Sequence, residues 1–173
     1  MRFARTTMPA VLLTFFTLTG VAAQDPADVD AINQLLDRYG QLEDAGDMTS
    51  QAQMMSPNRI WIAGGGFGRR TNQALNMRLQ QASHDAVREQ IPGIQYFSDL
   101  RDRVINVFGS GRIAVVSFYW YTDVVLPADA PPEAKEAFVP PVPLAYTLVL
   151  EKQEREWKIV HTHWSNFHPP VVR

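Results

Sequence analysis

From residue 25 onward, apolar side chains recur first with a helical period and later with a period of two. Val29, Ile32, Leu35, Leu36, Tyr39 and Leu42 form one stripe along a helix. Asp25 supplies a capping carboxylate, Pro26 suits the first helical position, and Asp28 favours the positive end of the helix dipole. Gly46 is placed to stop this helix after Ala45. A second, short helical piece is expected over residues 49–55, ended by Pro57. Residues 59–63 read as a strand, 64–68 as a glycine turn, and Arg69-Arg70 as a short return. Thr71 or Asn72 then caps a third helix carrying Leu75, Leu79, Ala82 and Val87, which must finish before Pro92-Gly93.

Beyond Gly93 the period becomes two. Residues 94–108 form a long strand, Gly109-Ser110-Gly111 a hairpin turn, and 113–125 its partner. Residues 126–143 hold six prolines and one charged helical fragment, 132–137. No strand tolerates that proline density, so the segment is an inserted excursion. Residues 144–151 and 157–165 form a closing hairpin. This order predicts an α+β domain: a strongly curved antiparallel sheet wraps the N-terminal helices, with a pocket between them.

The beginning of the chain has a different character. Arg2 and Arg5 precede an apolar run over 9–18, and Val21-Ala22-Ala23 gives the small-x-small pattern of a signal-peptidase site. Residues 1–23 are therefore expected to be a cleavable signal peptide, cut after Ala23, with one domain over 24–173 and a periplasmic or secreted product. The run is shorter than the ~20 residues that span a bilayer, so no membrane association is expected after cleavage. The whole chain of 173 residues has 16 basic and 18 acidic side chains, a net charge of −2. Loss of Arg2 and Arg5 makes it −4. Such a balance gives no footprint for nucleic acid. There are no cysteines, which excludes disulfides, thiolate catalysis and cysteine-bound metals.

Arg38-Tyr39, five residues, then Ala45-Gly46-Asp47 resembles the first helix of the ketosteroid-isomerase-like superfamily, also called NTF2-like or SnoaL-like. Residues 157–165, Trp-Lys-Ile-Val-His-Thr-His-Trp-Ser, resemble the last strand of many of its members. The resemblance spans the mature chain and implies a cone-shaped fold, an interior pocket and a homodimer formed through the sheet. It does not imply one activity, because the superfamily includes isomerases, cyclases, dehydratases, epoxide hydrolases, carbon–carbon lyases of lignin-type aromatic dimers, and binding or scaffolding proteins.

By the same resemblance, Tyr39 stands where ketosteroid isomerases keep the tyrosine that hydrogen-bonds a substrate oxyanion, while their catalytic aspartate position falls near Ala63, which is inert. A base must therefore come from elsewhere. Strict alternation puts Trp157, Ile159, His161, His163 and Ser165 on one strand face. Because Trp157 and Ile159 look like core, His161 and His163 are expected to face inward as acid–base groups; the alternative is a pair of hydrogen-bonded structural histidines. Two histidines at this spacing could share a metal, but no third ligand is singled out among Asp99, Asp123 and His168, so no metal and no cofactor are expected. In the central hairpin, Ser117, Tyr119, Tyr121 and Asp123 share one face and Phe118, Trp120 and Thr122 the other, and the pattern does not say which looks inward. Trp61, Tyr96, Asp99, Tyr119, Tyr121 and Arg69 are candidate substrate contacts. Arg69 or Arg70 would hold an anionic or phenolic group, or else be a solvated turn.

Two functions follow as expectations. One is a cofactor-independent lyase, dehydratase or isomerase acting on a small aromatic molecule, in its sharpest form a formaldehyde-releasing lyase of lignin-type dimers. The other is a non-catalytic, dimeric ligand-binding or scaffolding module.

Overall fold

A computed structural model describes residues 24–64, 66–137 and 143–167. The expected signal peptide and its cleavage site, part of the proline-rich excursion, and His168 lie outside the described residues.

Helix α1 runs Pro26–Ala45. The Asp25 carboxylate accepts from the Ala27 N–H at 3.0 Å, and Gly46 ends the helix with φ 65°. A side chain at Gly46 would be strained there and would also meet the Arg88 guanidinium. That guanidinium donates to the Ala45 and Asp44 carbonyls, so a cation closes the negative end of α1. Helix α2 is Met48–Ala52, and strand β1 is Met55–Ala63. The strand starts four residues earlier than expected because the Pro57 segment is taken into it, at a break in its register.

Strand β2 is Gly68–Arg70 and helix α3 is Gln73–Gln90, capped by Asn72 accepting from the Leu75 N–H. The expected apolar stripe of α3 is not its buried face, which carries Gln73, Asn76 and Met77, while Leu75 and Leu79 are exposed. Strands β3 (Gln95–Phe108) and β4 (Ile113–Val125) form the long hairpin. Helix α4 (Pro132–Ala137) sits in the excursion, and β5 (Leu144–Gln153) and β6 (Glu156–Asn166) close the chain.

The sheet order is β2-β1-β6-β5-β4-β3. Every neighbouring pair is antiparallel except β1 with β6, so the sheet is mixed rather than purely antiparallel. It is curved and unclosed around α1. Ile32 and Leu36 from α1 meet Val116, Leu148, Leu150 and Ile159 from the inner face, all without solvent exposure. Each such side chain contributes roughly 1.5–3 kcal/mol. A smaller cluster of Ile91, Ile94, Ala130 and Ala134 fastens the excursion beside Tyr96 and the end of α3. No helix among the described residues is long and apolar enough to cross a membrane.

Candidate active site

Strand β6 does not keep strict alternation. Leu150 pairs with Ile159 and Val149 with His161, so Val160 is an extra residue. The same point is disturbed on the β1 side, where Met55 aligns with Ile159 but Ile60 with His161. Pro57 has no N–H to give to a ladder, and the two strands re-register around it. A bulge of one residue exchanges the faces of everything beyond it. Trp157 and Ile159 point inward as expected, but the next inward residues are Thr162, with no exposure, and Trp164.

His161 and His163 consequently lie on the outer face, corresponding to Val149 and Thr147 of β5 and Ile60 and Ile62 of β1. The expectation that they face the interior is corrected by this bulge. His161 titrates below its ordinary value because of partial burial and the neighbouring His163, and His163 is exposed.

Phe118 and Trp120 are buried inward, which puts Tyr119 and Tyr121 outside. Tyr119 packs on Phe167, and Tyr121 lies under the Arg101 guanidinium at 4.4 Å. Asp99 is also on the outer face, paired with Arg101 at 2.6 Å. Arg69 is exposed opposite Ile62, so the arginine that turns inward is Arg70, opposite Trp61.

The inner residues meet in a cavity of about 380 Å³ between α1, α3 and the sheet. Trp61, Phe67 and Trp164 form an aromatic wall, with ring centroids 5.7–6.3 Å apart. Tyr39 and Tyr146 present phenols from opposite sides, α1 and β5. Tyr146 is stacked on Phe118 at 5.2 Å, and Tyr39 meets Trp120 edge-on at 5.5 Å. Burial, followed by the nearby Glu43 carboxylate, pushes the Tyr39 phenol well above its ordinary value. Tyr146 moves the same way, first through burial and then through Tyr39 and Glu43. Both phenols therefore remain protonated donors. Arg59, only 1% exposed, lies behind them. Its Nη1 donates to Thr162 Oγ1 and its Nη2 to Met77 Sδ, both at 3.5 Å, and its Nε has no partner.

The titratable pair on the cavity wall is His84 and Glu43, with Nε2 and Oε1 3.4 Å apart. Gln51 Nε2 fixes the other carboxylate oxygen at 2.7 Å, and the Tyr96 ring packs edge-on against the imidazole at 6.0 Å. At that separation the two form a close polar contact, with the carboxylate beside one ring nitrogen of the imidazole. Tyr96 thus touches the site through His84. Ala63, 6% exposed, also lies on the inner face and brings no carboxylate. Glu43 stands one helical turn after Tyr39, a spacing that places both on one face of α1, whereas His84 follows the mostly polar residues 80–83 and falls outside the apolar stripe expected for α3.

A family profile describing a SnoaL-like domain matches residues 32–169. The chain belongs to this SnoaL-like family, whose members include isomerases, cyclases and dehydratases. Among solved structures it is similar to an NTF2-like protein with a cystatin-like fold from Novosphingobium aromaticivorans, at 18% identity and TM-score 0.63, covering 84% of this chain and 85% of that one. It is also similar to ActVI-ORFA from Streptomyces coelicolor, at 13% identity and TM-score 0.63, covering 82% and 98%. A third similar structure is an NTF2-like superfamily protein from Salmonella enterica serovar Typhimurium, at 18% identity and TM-score 0.60, covering 84% and 95%. Likeness at these identities shows the fold alone. No curated protein sequence matches the chain.

Proposed function

We propose that this protein is a cofactor-independent acid–base enzyme that moves a proton on a small, flat aromatic molecule. The observation that carries this reading is the convergence of the His84–Glu43 pair with two protonated phenols in one aromatic-walled cavity. His84 takes the proton, and the Glu43 carboxylate beside it stabilises the imidazolium that forms. Tyr39 and Tyr146 donate to the oxygen on which charge develops, and the Arg59 guanidinium behind them adds a fixed positive field. An aromatic-walled site of this kind suits isomerisation, dehydration or lyase chemistry beginning at a carbon next to a carbonyl or phenol. Release of formaldehyde from a diaryl lignin-type fragment belongs to that class, and a cavity of about 380 Å³ is suited to one or two rings.

The test is exchange of the α-protons of 2-tetralone in D₂O, followed by NMR. The wild type should accelerate exchange, and His84→Gln and Tyr39→Phe should each lose about 10²-fold or more. Tetralone that binds but does not exchange would replace this reading with a non-catalytic ligand-binding module.

Two further proposals accompany it. Export, with cleavage after Ala23, is supported by the basic start and apolar run, and mass analysis of the mature chain tests it. Homodimerisation through the outer sheet face is supported by Phe97, Val104, Phe108 and Val125, each about half exposed there. Sedimentation of Val104→Glu/Phe108→Glu against the wild type tests that.

A further inference from the structure

Arg70 is held in an unusual way for a residue beside a turn. Its Nη1 donates to Asn76 Oδ1 at 2.9 Å, and Asn76 is itself only 1% exposed on the buried face of α3. Its guanidinium carbon lies 5.1 Å from the centroid of the Trp61 ring, which forms the cavity wall. A buried amide and an indole therefore fix the position of the guanidinium, and the remaining N–H groups are left over for another partner. Among the described residues Arg70 forms no ion pair. Among the described residues the one carboxylate lining the cavity, Glu43, is already in contact with His84 and Gln51.

The charge balance points the same way. Arg70 and the buried Arg59 outnumber Glu43 around this cavity, in a chain whose net charge is −2. A positive island in an acidic protein attracts an anion, and a planar, pre-oriented guanidinium matches the two oxygens of a carboxylate better than a point charge would.

We infer that the natural ligand of this cavity is an aromatic carboxylate, with its carboxylate bound by Arg70 and its ring laid against Trp61 and Trp164. The inference rests on the reading of this cavity as the active site and adds the class of molecule that it takes. Arg70 sets specificity for the anion, while proton transfer happens at His84 and the phenols on the same cavity.

The experiment compares 2-naphthoate with its neutral isostere 2-naphthamide, using quenching of tryptophan fluorescence at pH 8. Wild type should bind naphthoate at least tenfold more tightly than naphthamide. Arg70→Gln should bring the two affinities together by weakening naphthoate alone, and Arg70→Lys should recover only part of the preference, since it restores charge without the planar fork. Circular dichroism confirms that both variants are folded. Equal affinities in the wild type, or an undiminished preference in Arg70→Gln, would overturn the inference. Neither result bears on the acid–base reading, because the exchange assay uses a neutral ketone and is scored on His84. Failure of His84→Gln to slow that exchange would remove the acid–base reading while leaving a naphthoate preference intact.

Discussion

Replacing Arg59 with methionine should stabilise the protein while impairing its site. The guanidinium is almost completely withdrawn from water, and burial lowers its pKa. Its bond to Thr162 is at the 3.5 Å limit, its bond to Met77 is to a weakly accepting thioether, the Tyr39 hydroxyl is its one further polar neighbour by hydrogen bonding among the described residues, and its Nε donor is unpaired. Bonds of that length return little, and an unmet buried donor costs about 1–3 kcal/mol. No carboxylate stands within ion-pair distance of it among the described residues. Methionine keeps the apolar stem and its packing against Met77 while discarding the buried charge. Exchanging buried ionic groups for apolar side chains of similar volume ranges from neutral to a gain of about 1–4 kcal/mol. In a chain of this size each kcal/mol moves Tm by about 2–4 °C, so Arg59→Met should melt several degrees higher. The same variant should slow 2-tetralone exchange, because the field behind the two phenols is gone. Urea denaturation and the exchange assay on one preparation read both effects. A variant destabilised by more than about 2 kcal/mol would show that Arg59 is held for the fold, and the reasoning about stored cost would be wrong.

The buried phenols give a prediction at high pH. A raised folded-state pKa means that the folded protein keeps a proton the unfolded chain releases above about pH 10. Stability is thus fully present below that pH and lost above it, by at most about 1.4 kcal/mol per pH unit for each phenol. Tyr39→Phe should flatten the fall in urea midpoint between pH 9 and 11, and an unchanged slope would contradict the assigned burial. At the acid end, His161 has a lowered folded-state pKa, so the unfolded chain binds the extra proton and stability falls as pH drops below about 6.5. His161→Gln should reduce that acid sensitivity without changing 2-tetralone exchange. A parallel loss of exchange would return His161 to the chemistry.

Most of the scaffold was legible because its signals are local. The cap at Asp25, the stop at Gly46 and the period of two from Gln95 to Val125 each depend on a few neighbouring residues. Tyr39 and Trp61 line the inner cavity, and their inward faces are legible because a helical stripe and a short strand fix them without reference to distant parts of the chain. The histidines were misplaced for a non-local reason. The bulge at Val160 arises where β6 meets β1 near Pro57, about a hundred residues earlier in sequence, and no apolar or polar mark on β6 reveals it. The inward turn of Arg70 rather than Arg69 depends likewise on pairing with β1. On α3, the face that matters is polar, because it borders a cavity instead of a dry core. The apolar stripe of Leu75, Leu79, Ala82 and Val87 touches the cavity only through Leu79 and leaves out His84.

The location of the site can be tested before any natural substrate is known. The imidazole ¹³Cε1–¹H signals of the histidines, assigned by single substitution, should be followed while 2-naphthoate is added. The expected result is a saturable shift of the His84 signal, with His161 and His163 unmoved. Shifts at His161 and His163 with His84 unchanged would place the ligand on the outer face of the sheet and contradict the interior site.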